Sequence, residues 1–261
     1  MTEMRNYPSG APCWVDLGTT DLTAAQEFYT RLLGWSYVDT GEEGGHYQLA
    51  MLKDRPIAGM MAMSPEMLET AVPPSWTTYF ASDNADDVGK WVTEHDGAVL
   101  MGPMDVMTQG RMLVGRDPAG AVFGVWQPRD MPGSGLLGEP GSVAWTELLS
   151  RDPQATGEFY AAVFGFDRET QDIGMTEPYT VFSIGETQVA GMMQMPTDVP
   201  PEAPSYWMTY FAVTDADAAV ATVREMDGTV LAEPRDTEYG RWAMIADPQG
   251  AVLSVLALPA S

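Results

Sequence analysis

The chain is poor in the residue types from which most metal centres and covalent cross-links are built. Its 261 residues include one cysteine, Cys13, and two histidines, His46 and His95. A single cysteine excludes an internal disulfide, and so small a set of thiol and imidazole groups excludes a zinc site of the usual kind. The cysteine usage predicts a reducing compartment.

Basic residues are also scarce, and long apolar runs are missing. Lys and Arg total 13 against 37 Asp and Glu, which gives a formal net charge of −24. That charge repels phosphate backbones and anionic lipid surfaces, so neither nucleic acid nor a membrane is an expected partner. There is no run of about 20 apolar residues and no signal-peptide-like N-terminus. We therefore expect a cytoplasmic protein.

What the sequence does contain is one pattern that occurs twice. Trp14 recurs as Trp145 (145 − 14 = 131), and Asp117 recurs as Asp247 (247 − 117 = 130). The same offset of 131 relates three further motifs to their copies: Phe28-Tyr29 and Phe159-Tyr160, Trp76 and Trp207, Tyr79-Phe80 and Tyr210-Phe211. A constant offset indicates a duplicated unit, and the length suits two cores. We predict units at 1–128 and 142–261, joined by a Gly- and Pro-rich linker at 129–141.

Each unit reads as strand, helix and further strands, twice over. Period-two alternation predicts strands at 13–17 and 143–149. A helix follows each, with Asp21 and Asp152 at the N-cap and a glycine at the end. The other predicted strands of the first unit lie at 46–52, 56–63, 76–81, 98–101, 111–115 and 121–126, with a second helix at 84–95. The expected class is α+β, with four βαβββ modules.

Three motifs carry a family resemblance: the segment from Trp14 to Asp21, Phe28-Tyr29 with Leu33-Gly34, and Asp117-Pro-Ala-Gly with its copy at Asp247. With them, the chain resembles the vicinal oxygen chelate superfamily, which includes glyoxalase I, extradiol dioxygenases and bleomycin-resistance proteins. It is also similar to tandem glyoxalase-like proteins often labelled hydroxylases. The resemblance covers nearly the whole chain and implies curved half-barrel sheets that enclose a cleft.

The resemblance also implies where a metal would be held, and those positions carry unsuitable residues. In metal-using relatives a His or Gln lies seven residues before the helix-capping Asp, a Glu lies seven residues after the Asp of Asp-Pro-x-Gly, and a middle strand adds a ligand. The corresponding residues here are Trp14 and Trp145, Gly124 and Ser254, and Thr77 and Met208. None offers an imidazole or carboxylate, so we expect no metal and no other cofactor. We interpret His46 and His95 as structural or surface residues.

Strand alternation places a set of aromatic and neutral side chains on the same sheet face as these positions. The candidate ligand-binding residues are Trp14, Thr77, Tyr79, Trp126, Trp145, Met208, Tyr210 and Ser254. Such a face suits a flat or extended apolar ligand, although the same rings can simply fill the half-barrel. The opposite face is expected to pack beneath the helices. Its members include Val15, Leu17, Phe80, Phe123, Val125, Leu148, Phe211, Leu253 and Val255.

Two carboxylates share the aromatic face, Asp16 and Glu147. Removal from water raises the pKa of a carboxyl group, and a raised pKa suits a general acid or base near neutral pH. These two residues are the candidate catalytic groups. The alternative is that tyrosines, Arg111 or Arg241 hydrogen-bond them and merely satisfy the interior of the sheet.

Two functions of different class follow from this face. One is a metal-independent enzyme of secondary metabolism that uses carboxylate acid–base chemistry for isomerisation, cyclisation, dehydration or epoxide opening of a small hydrophobic or aromatic molecule. The other is a non-catalytic protein that sequesters an antibiotic or toxic metabolite. A monomer and a homodimer both satisfy the duplicated pattern.

The vacant ligand positions generate the first prediction. Elemental analysis of the purified protein is expected to show no stoichiometric Fe, Zn, Ni or Mn, because no side chain at these positions binds them. One bound equivalent together with chelator-sensitive activity would contradict the assignment.

Overall fold

The structure, a computed structural model, describes residues 6–70, 72–171, 178–197 and 199–259, so the outermost residues of the two predicted units lie outside the described part. The first copy contributes β1 (Pro12–Thr19), α1 (Leu22–Leu33), β2 (Ser36–Asp39), a 3₁₀ turn (Glu42–Gly44), β3 (Gln48–Leu52), β4 (Arg55–Ala62), α2 (Pro65–Glu69), β5 (Ser75–Ala81), α3 (Ala85–Glu94), β6 (Ala98–Val106), β7 (Gly110–Arg116) and β8 (Val122–Pro128). The second copy contributes β9 (Val143–Ser150), α4 (Pro153–Phe164), β10 (Asp167–Gln171), β11 (Tyr179–Ile184), β12 (Thr187–Gln194), β13 (Tyr206–Val213), α5 (Ala216–Glu225), β14 (Thr229–Thr237), β15 (Gly240–Ala246) and β16 (Val252–Ala257).

Each copy forms one curved eight-stranded sheet. The strand orders are β2-β3-β4-β1-β5-β8-β7-β6 and β10-β11-β12-β9-β13-β16-β15-β14, so the two sheets have the same topology. The first strands of the two modules lie side by side and antiparallel at the centre of each sheet, as β1 with β5 and β9 with β13. This confirms the α+β class and the four βαβββ modules. The short strands β2 and β10 and the helix α2 were missing from the individual strand and helix predictions.

The predicted helix signals operate as expected. The Asp21 side chain accepts a hydrogen bond from the Ala24 backbone N–H at 3.0 Å, and Gly34 ends α1 with a left-handed φ of 76°. Asp152 caps α4 in the same way, with Pro153 in the first turn. Each cap fixes the residue at which its helix begins. The apolar side of each helix then faces its sheet.

The four longer helices, α1, α3, α4 and α5, lie between the two sheets, and the hydrophobic core is shared by the two copies. One cluster joins α1 and β1 of the first copy to α5 and β16 of the second, and the other joins α3 and β8 to α4 and β12. All nine residues predicted to pack beneath the helices belong to these clusters. We call this side of each sheet the core face and the opposite side the open face.

Buried hydrogen bonds also join the copies. The Tyr29 hydroxyl accepts a hydrogen bond from Trp76 Nε1 at 3.1 Å and donates to Asp247 Oδ2 at 3.0 Å. The other oxygen of Asp247 accepts the backbone N–H groups of Gln249 and Ala251. Asp247 therefore holds its own turn with one oxygen and the first copy with the other.

This junction generates a stability prediction. Tyr29→Phe removes the donor to a buried carboxylate and the acceptor for Trp76, and it is expected to lower the free energy of unfolding by about 2 kcal/mol. The shared core predicts that both copies still unfold in a single thermal transition, measured by circular dichroism. Tyr239→Phe, at a side chain 52% exposed, is the matched control. Two separate transitions in the parent protein would contradict a common core.

Candidate functional site

The strand register brings the predicted residues of the first copy together on the open face. Trp14 lies opposite Tyr79, and Asp16 lies opposite Thr77, across the β1–β5 pair. Tyr79 in turn neighbours Gly124 on β8. Trp14, Tyr79 and Trp126 belong to one buried cluster on this face. Trp126 donates from Nε1 to the Met131 carbonyl oxygen at 2.8 Å, which anchors the start of the linker there.

Asp16 is the polar centre of this face and is only 4% exposed. Its Oδ2 accepts hydrogen bonds from the hydroxyls of Tyr79 at 2.9 Å and Tyr47 at 3.2 Å. Trp14 Nε1 donates to the Tyr47 hydroxyl at 2.9 Å, so the phenol is oriented toward the carboxylate. Among the described residues, both donors reach the same oxygen, and no side chain donates a hydrogen bond to Oδ1.

The second copy repeats this arrangement around Glu147, which is 7% exposed. Tyr210 donates to Glu147 Oε1 at 2.9 Å, and Trp145 Nε1 donates to the Tyr179 hydroxyl at 3.0 Å. Tyr179 also hydrogen-bonds to the Glu147 side chain. Met208 lies opposite Glu147, and Ser254 neighbours Tyr210. The two halves thus carry the same four-residue polar array.

Glycines make room for the tyrosines. Gly59 pairs with Asp16, and Gly191 pairs with Glu147, on the adjacent strands β4 and β12. A Cβ at Gly59 would overlap the Tyr47 hydroxyl, and a Cβ at Gly191 would overlap the Tyr179 hydroxyl. Each phenol therefore reaches its carboxylate by crossing over a glycine.

Burial dominates the electrostatics of both carboxylates. Loss of hydration raises the pKa of Asp16 to about 6, although the two tyrosine hydrogen bonds act in the opposite direction. Burial raises the pKa of Glu147 as well, against the hydrogen bonds from Tyr179 and Tyr210. Near neutral pH, Asp16 is therefore close to the condition in which a carboxylate can both take up and release a proton.

The arginines considered as partners for these carboxylates lie elsewhere. Arg111 pairs with Asp86 and Asp105, and Arg241 pairs in the same way with two aspartates of the second copy. Both arginines tie a helix N-terminus to the outer strand pair of a sheet. Tyrosines are therefore the hydrogen-bond partners of Asp16 and Glu147, and the alternative that Arg111 or Arg241 binds these carboxylates is wrong.

One position departs from strand alternation. Alternation from Trp14 would place Cys13 on the core face, but Cys13 packs with Trp14 and Trp126 because a register shift between Pro12 and Trp14 interrupts the alternation. Burial raises its pKa, which suits an inert thiol. His46 pairs with Asp39 at the surface, in agreement with a surface role.

The tyrosines at 47 and 179 were missed by the sequence analysis. Their offset (179 − 47 = 132) was a signal, since Gly59 and Gly191 share it (191 − 59 = 132). The predicted strand at 46–52 begins only at Gln48, so alternation gave no reliable direction for Tyr47.

Two shallow cavities lie away from the open faces. One of about 460 Å³ lies between α4 and the strands β10 to β12, and one of about 300 Å³ lies where α1 meets α5. Neither is lined by a candidate site residue. Neither cavity therefore leads to Asp16 or Glu147.

The donor set does not fit the metal that the resemblance implies. The Trp14 indole N–H is committed to Tyr47, and a Cβ at Gly124 would overlap the Tyr79 ring, which occupies the space of the expected glutamate. Among the residues that the structure describes, no group of three or more His, Cys, Asp or Glu side chains is placed to hold an ion. We derive no chemistry through a metal.

Comparisons with known proteins agree with the fold. A family model described as the Glyoxalase/Bleomycin resistance protein/Dioxygenase superfamily matches residues 13–125 and again 142–255. "Putative glyoxylase CFP32" of Mycobacterium tuberculosis is 40% identical over 259 residues, 98% of each chain. "Anthracycline biosynthesis protein DnrV" of Streptomyces peucetius is 38% identical over 267 residues, 98% of this chain and 96% of that one.

Solved structures show the same architecture at low sequence identity. A Mn(II)-bound glyoxalase from Novosphingobium aromaticivorans is 14% identical with a TM-score of 0.65, over 96% of this chain and 83% of that one. The 2,3-dioxygenase LapB from Pseudomonas sp. KL28 is 11% identical with a TM-score of 0.65, over 95% and 92%. Within the described residues, no helix is long and apolar enough to span a bilayer.

The raised pKa of Asp16 generates a prediction about stability. The folded state holds the proton more tightly than the unfolded state, so ionisation costs folding free energy that grows as the pH rises through about 6. Asp16→Asn is therefore expected to increase the free energy of unfolding, by about 3 kcal/mol at pH 8 and about half as much at pH 5. Urea unfolding at both pH values measures the difference, and Asp21→Asn, at an exposed N-cap, is the control. A destabilised Asp16→Asn at pH 8 would contradict the desolvation argument.

Proposed function

Because the chain belongs to the glyoxalase/bleomycin resistance/dioxygenase superfamily and presents a buried carboxylate on each open face, we propose that it binds a small hydrophobic or aromatic molecule there and transfers a proton on it without a metal. The single observation that carries this proposal is Asp16, which is 4% exposed, is hydrogen-bonded among the described residues by phenol hydroxyls alone, and has its pKa raised to about 6. A carboxylate in a structural ion pair has an arginine or lysine beside it, and that positive charge lowers its pKa. A buried carboxylate with a raised pKa is instead typical of a functional site.

The proposed chemistry needs no redox partner. In an isomerisation, the free oxygen of the carboxylate takes a proton from a carbon next to a ligand carbonyl, which leaves an enolate and a neutral carboxylic acid. The acid then returns the proton to a different ligand atom. Tyr79 and Tyr47 hold the other oxygen throughout, so the carboxyl group does not rotate away from the ligand.

The surrounding side chains support an aromatic or apolar ligand. The open face of the first copy exposes Met101, Met104 and Val122 by 52%, 46% and 40%. Met104 lies opposite Met112, which lies opposite Trp126, so these side chains continue the aromatic surface beside Asp16. An exposed apolar strip in a chain of net charge −24 is typical of a binding surface.

The named relatives support a place in secondary metabolism. Two of them, DnrV and DauV, carry the description "Anthracycline biosynthesis protein" and match 98% of this chain. That description concerns those proteins. For this chain it favours a biosynthetic metabolite as the ligand class over a housekeeping thioester or thiol adduct.

Sequestration is a second candidate, favoured by the hydrogen bonding itself. Two phenol donors to Asp16 and two to Glu147 satisfy the carboxylates well enough for a face that only binds. A ligand hydroxyl or amine then donates to the free oxygen and no proton is transferred.

Substitution at the carboxylates distinguishes the two candidates. Asp16→Asn and Glu147→Gln preserve shape and remove the base, so the enzyme proposal expects turnover of a candidate substrate to fall by about 100-fold or more while its affinity changes little. Turnover should rise with pH through about 6 in the parent, since the base must be ionised. Steady-state kinetics and calorimetric binding are the two measurements.

The opposite pattern supports sequestration: unchanged rates of conversion in the presence of either variant, with affinity lost. Asp21→Asn serves again as a carboxylate control away from the open face. Unchanged turnover and unchanged affinity in the double variant would reject both candidates at this site.

A further inference from the structure

The two open faces share their polar array but differ at the outer strands. Met104 and Arg235 occupy equivalent positions (235 − 104 = 131), as do Met112 and Trp242 (242 − 112 = 130). The register agrees with this equivalence, because Met104 lies opposite Met112 and Arg235 lies opposite Trp242. A methionine pair in the first copy is therefore an arginine over a tryptophan in the second.

Arg235 is held on the open face by its neighbours. Its guanidinium carbon lies 4.6 Å from the centre of the Trp242 ring, within the range of a cation–π contact. Trp242 Nε1 donates to Ser254 Oγ at 3.1 Å, which fixes the ring beside Tyr210 and thus beside the Glu147 array. The guanidinium is oriented by stacking while its N–H groups stay exposed.

Arg235 also lacks an acidic partner among the described residues, in a chain with 37 acidic and 13 basic side chains. The two acidic residues nearest to it in sequence are paired elsewhere: Glu233 with Arg224, and Asp236 with Arg241. Arginines elsewhere on the surface, such as Arg111, hold two aspartates. An oriented guanidinium without a carboxylate, next to a ring and a serine hydroxyl, presents free donors to a ligand.

We propose that Arg235 is a specificity-determining residue that makes the open face of the second copy a site for planar organic anions, such as aromatic carboxylates, whereas the open face of the first copy takes neutral apolar ligands. Trp242 stacks beside the guanidinium and offers its ring to the ligand's ring, and the guanidinium N–H groups bind the anionic group. At the equivalent place the first face carries the thioethers of Met104 and Met112 beside the Trp126 ring, with no basic side chain at either methionine position.

The distance across the sheet sets the size of such a ligand. Three strand spacings separate β9, which carries Glu147, from β15, which carries Trp242, or roughly 14 Å between backbones. Trp242 and Glu147 also lie at different levels along the strands, because Trp242 pairs with Leu256 and Glu147 pairs with Met208. A two-ring ligand held at Arg235 and Trp242 therefore reaches the Ser254 and Tyr210 end of the array. This inference rests on the proposed function, since it assumes that the open faces bind ligands.

The test compares two probes of equal shape and different charge, 2-naphthoate and 2-naphthamide, by titration calorimetry with the full chain. The parent is expected to bind naphthoate more tightly than naphthamide. Arg235→Met should weaken naphthoate by roughly tenfold and leave naphthamide within about twofold, whereas Arg235→Lys should retain part of the preference. Met104→Arg should create a second, weaker naphthoate site on the first face.

Lys90→Met is the matched control, because it removes one exposed positive charge from a helix away from both faces. If Arg235→Met leaves the naphthoate-to-naphthamide ratio unchanged while naphthamide still binds, the assignment to Arg235 is wrong and the proposed function stands. If neither probe binds the parent, both the inference and the ligand-binding part of the proposed function fail. If Lys90→Met weakens naphthoate as much as Arg235→Met, the preference is a net-charge effect and the inference is rejected.

Discussion

The shared burial of helices between the two sheets is the constraint on which the rest of the molecule depends. Each copy has a core face that it cannot cover alone, and α1 packs with α5 as α3 packs with α4. Apolar area is removed from water on both sheets at once, and this is the main stabilising contribution. Since both core faces are covered in this way, the open faces are the sides of the two sheets that do not pack beneath the helices.

The carboxylates show what the open faces give up in stability. An aspartate in a hydrophobic strand costs folding free energy, and two phenol hydrogen bonds offset only part of the cost, since the net pKa remains raised. A glycine on the neighbouring strand lowers the stability of the fold further, because it has no side chain to pack and less tendency to form a strand. The same combination of indole, phenols and carboxylate occurs in both copies. Its members depend on one another, because removing one side chain leaves the hydrogen-bonding group of another unsatisfied.

The fold was predictable because its signals are local and repeated. A constant offset, two aspartate N-caps and the glycine stops are all readable without knowing which segments meet in space. Alternation also assigned the core-face and open-face residues, since regular strands preserve their period of two. It failed at Cys13, where a bulge breaks the period, and at Tyr47, which precedes its strand. The partners of Arg111 depend on how a helix N-terminus meets a distant strand pair, and no spacing in the sequence encodes that contact.

The two copies have identical residues at the junction between them and different residues at the outer strands of their open faces. The residues at the junction between copies are the same in both: Tyr29 and Tyr160, Trp76 and Trp207, Asp117 and Asp247. Tyr29 donates to Asp247 across the junction, so a change of polarity at either residue leaves its partner in the other copy unsatisfied. Trp207 donates to Tyr160 within the second copy, as Trp76 donates to Tyr29 within the first. The outer open-face pairs differ: Met104 and Arg235, Met112 and Trp242, Trp126 and Leu256. Met104 is 46% exposed and Arg235 is also exposed, so packing allows this pair to diverge, whereas Trp126 and Leu256 are both buried and both apolar.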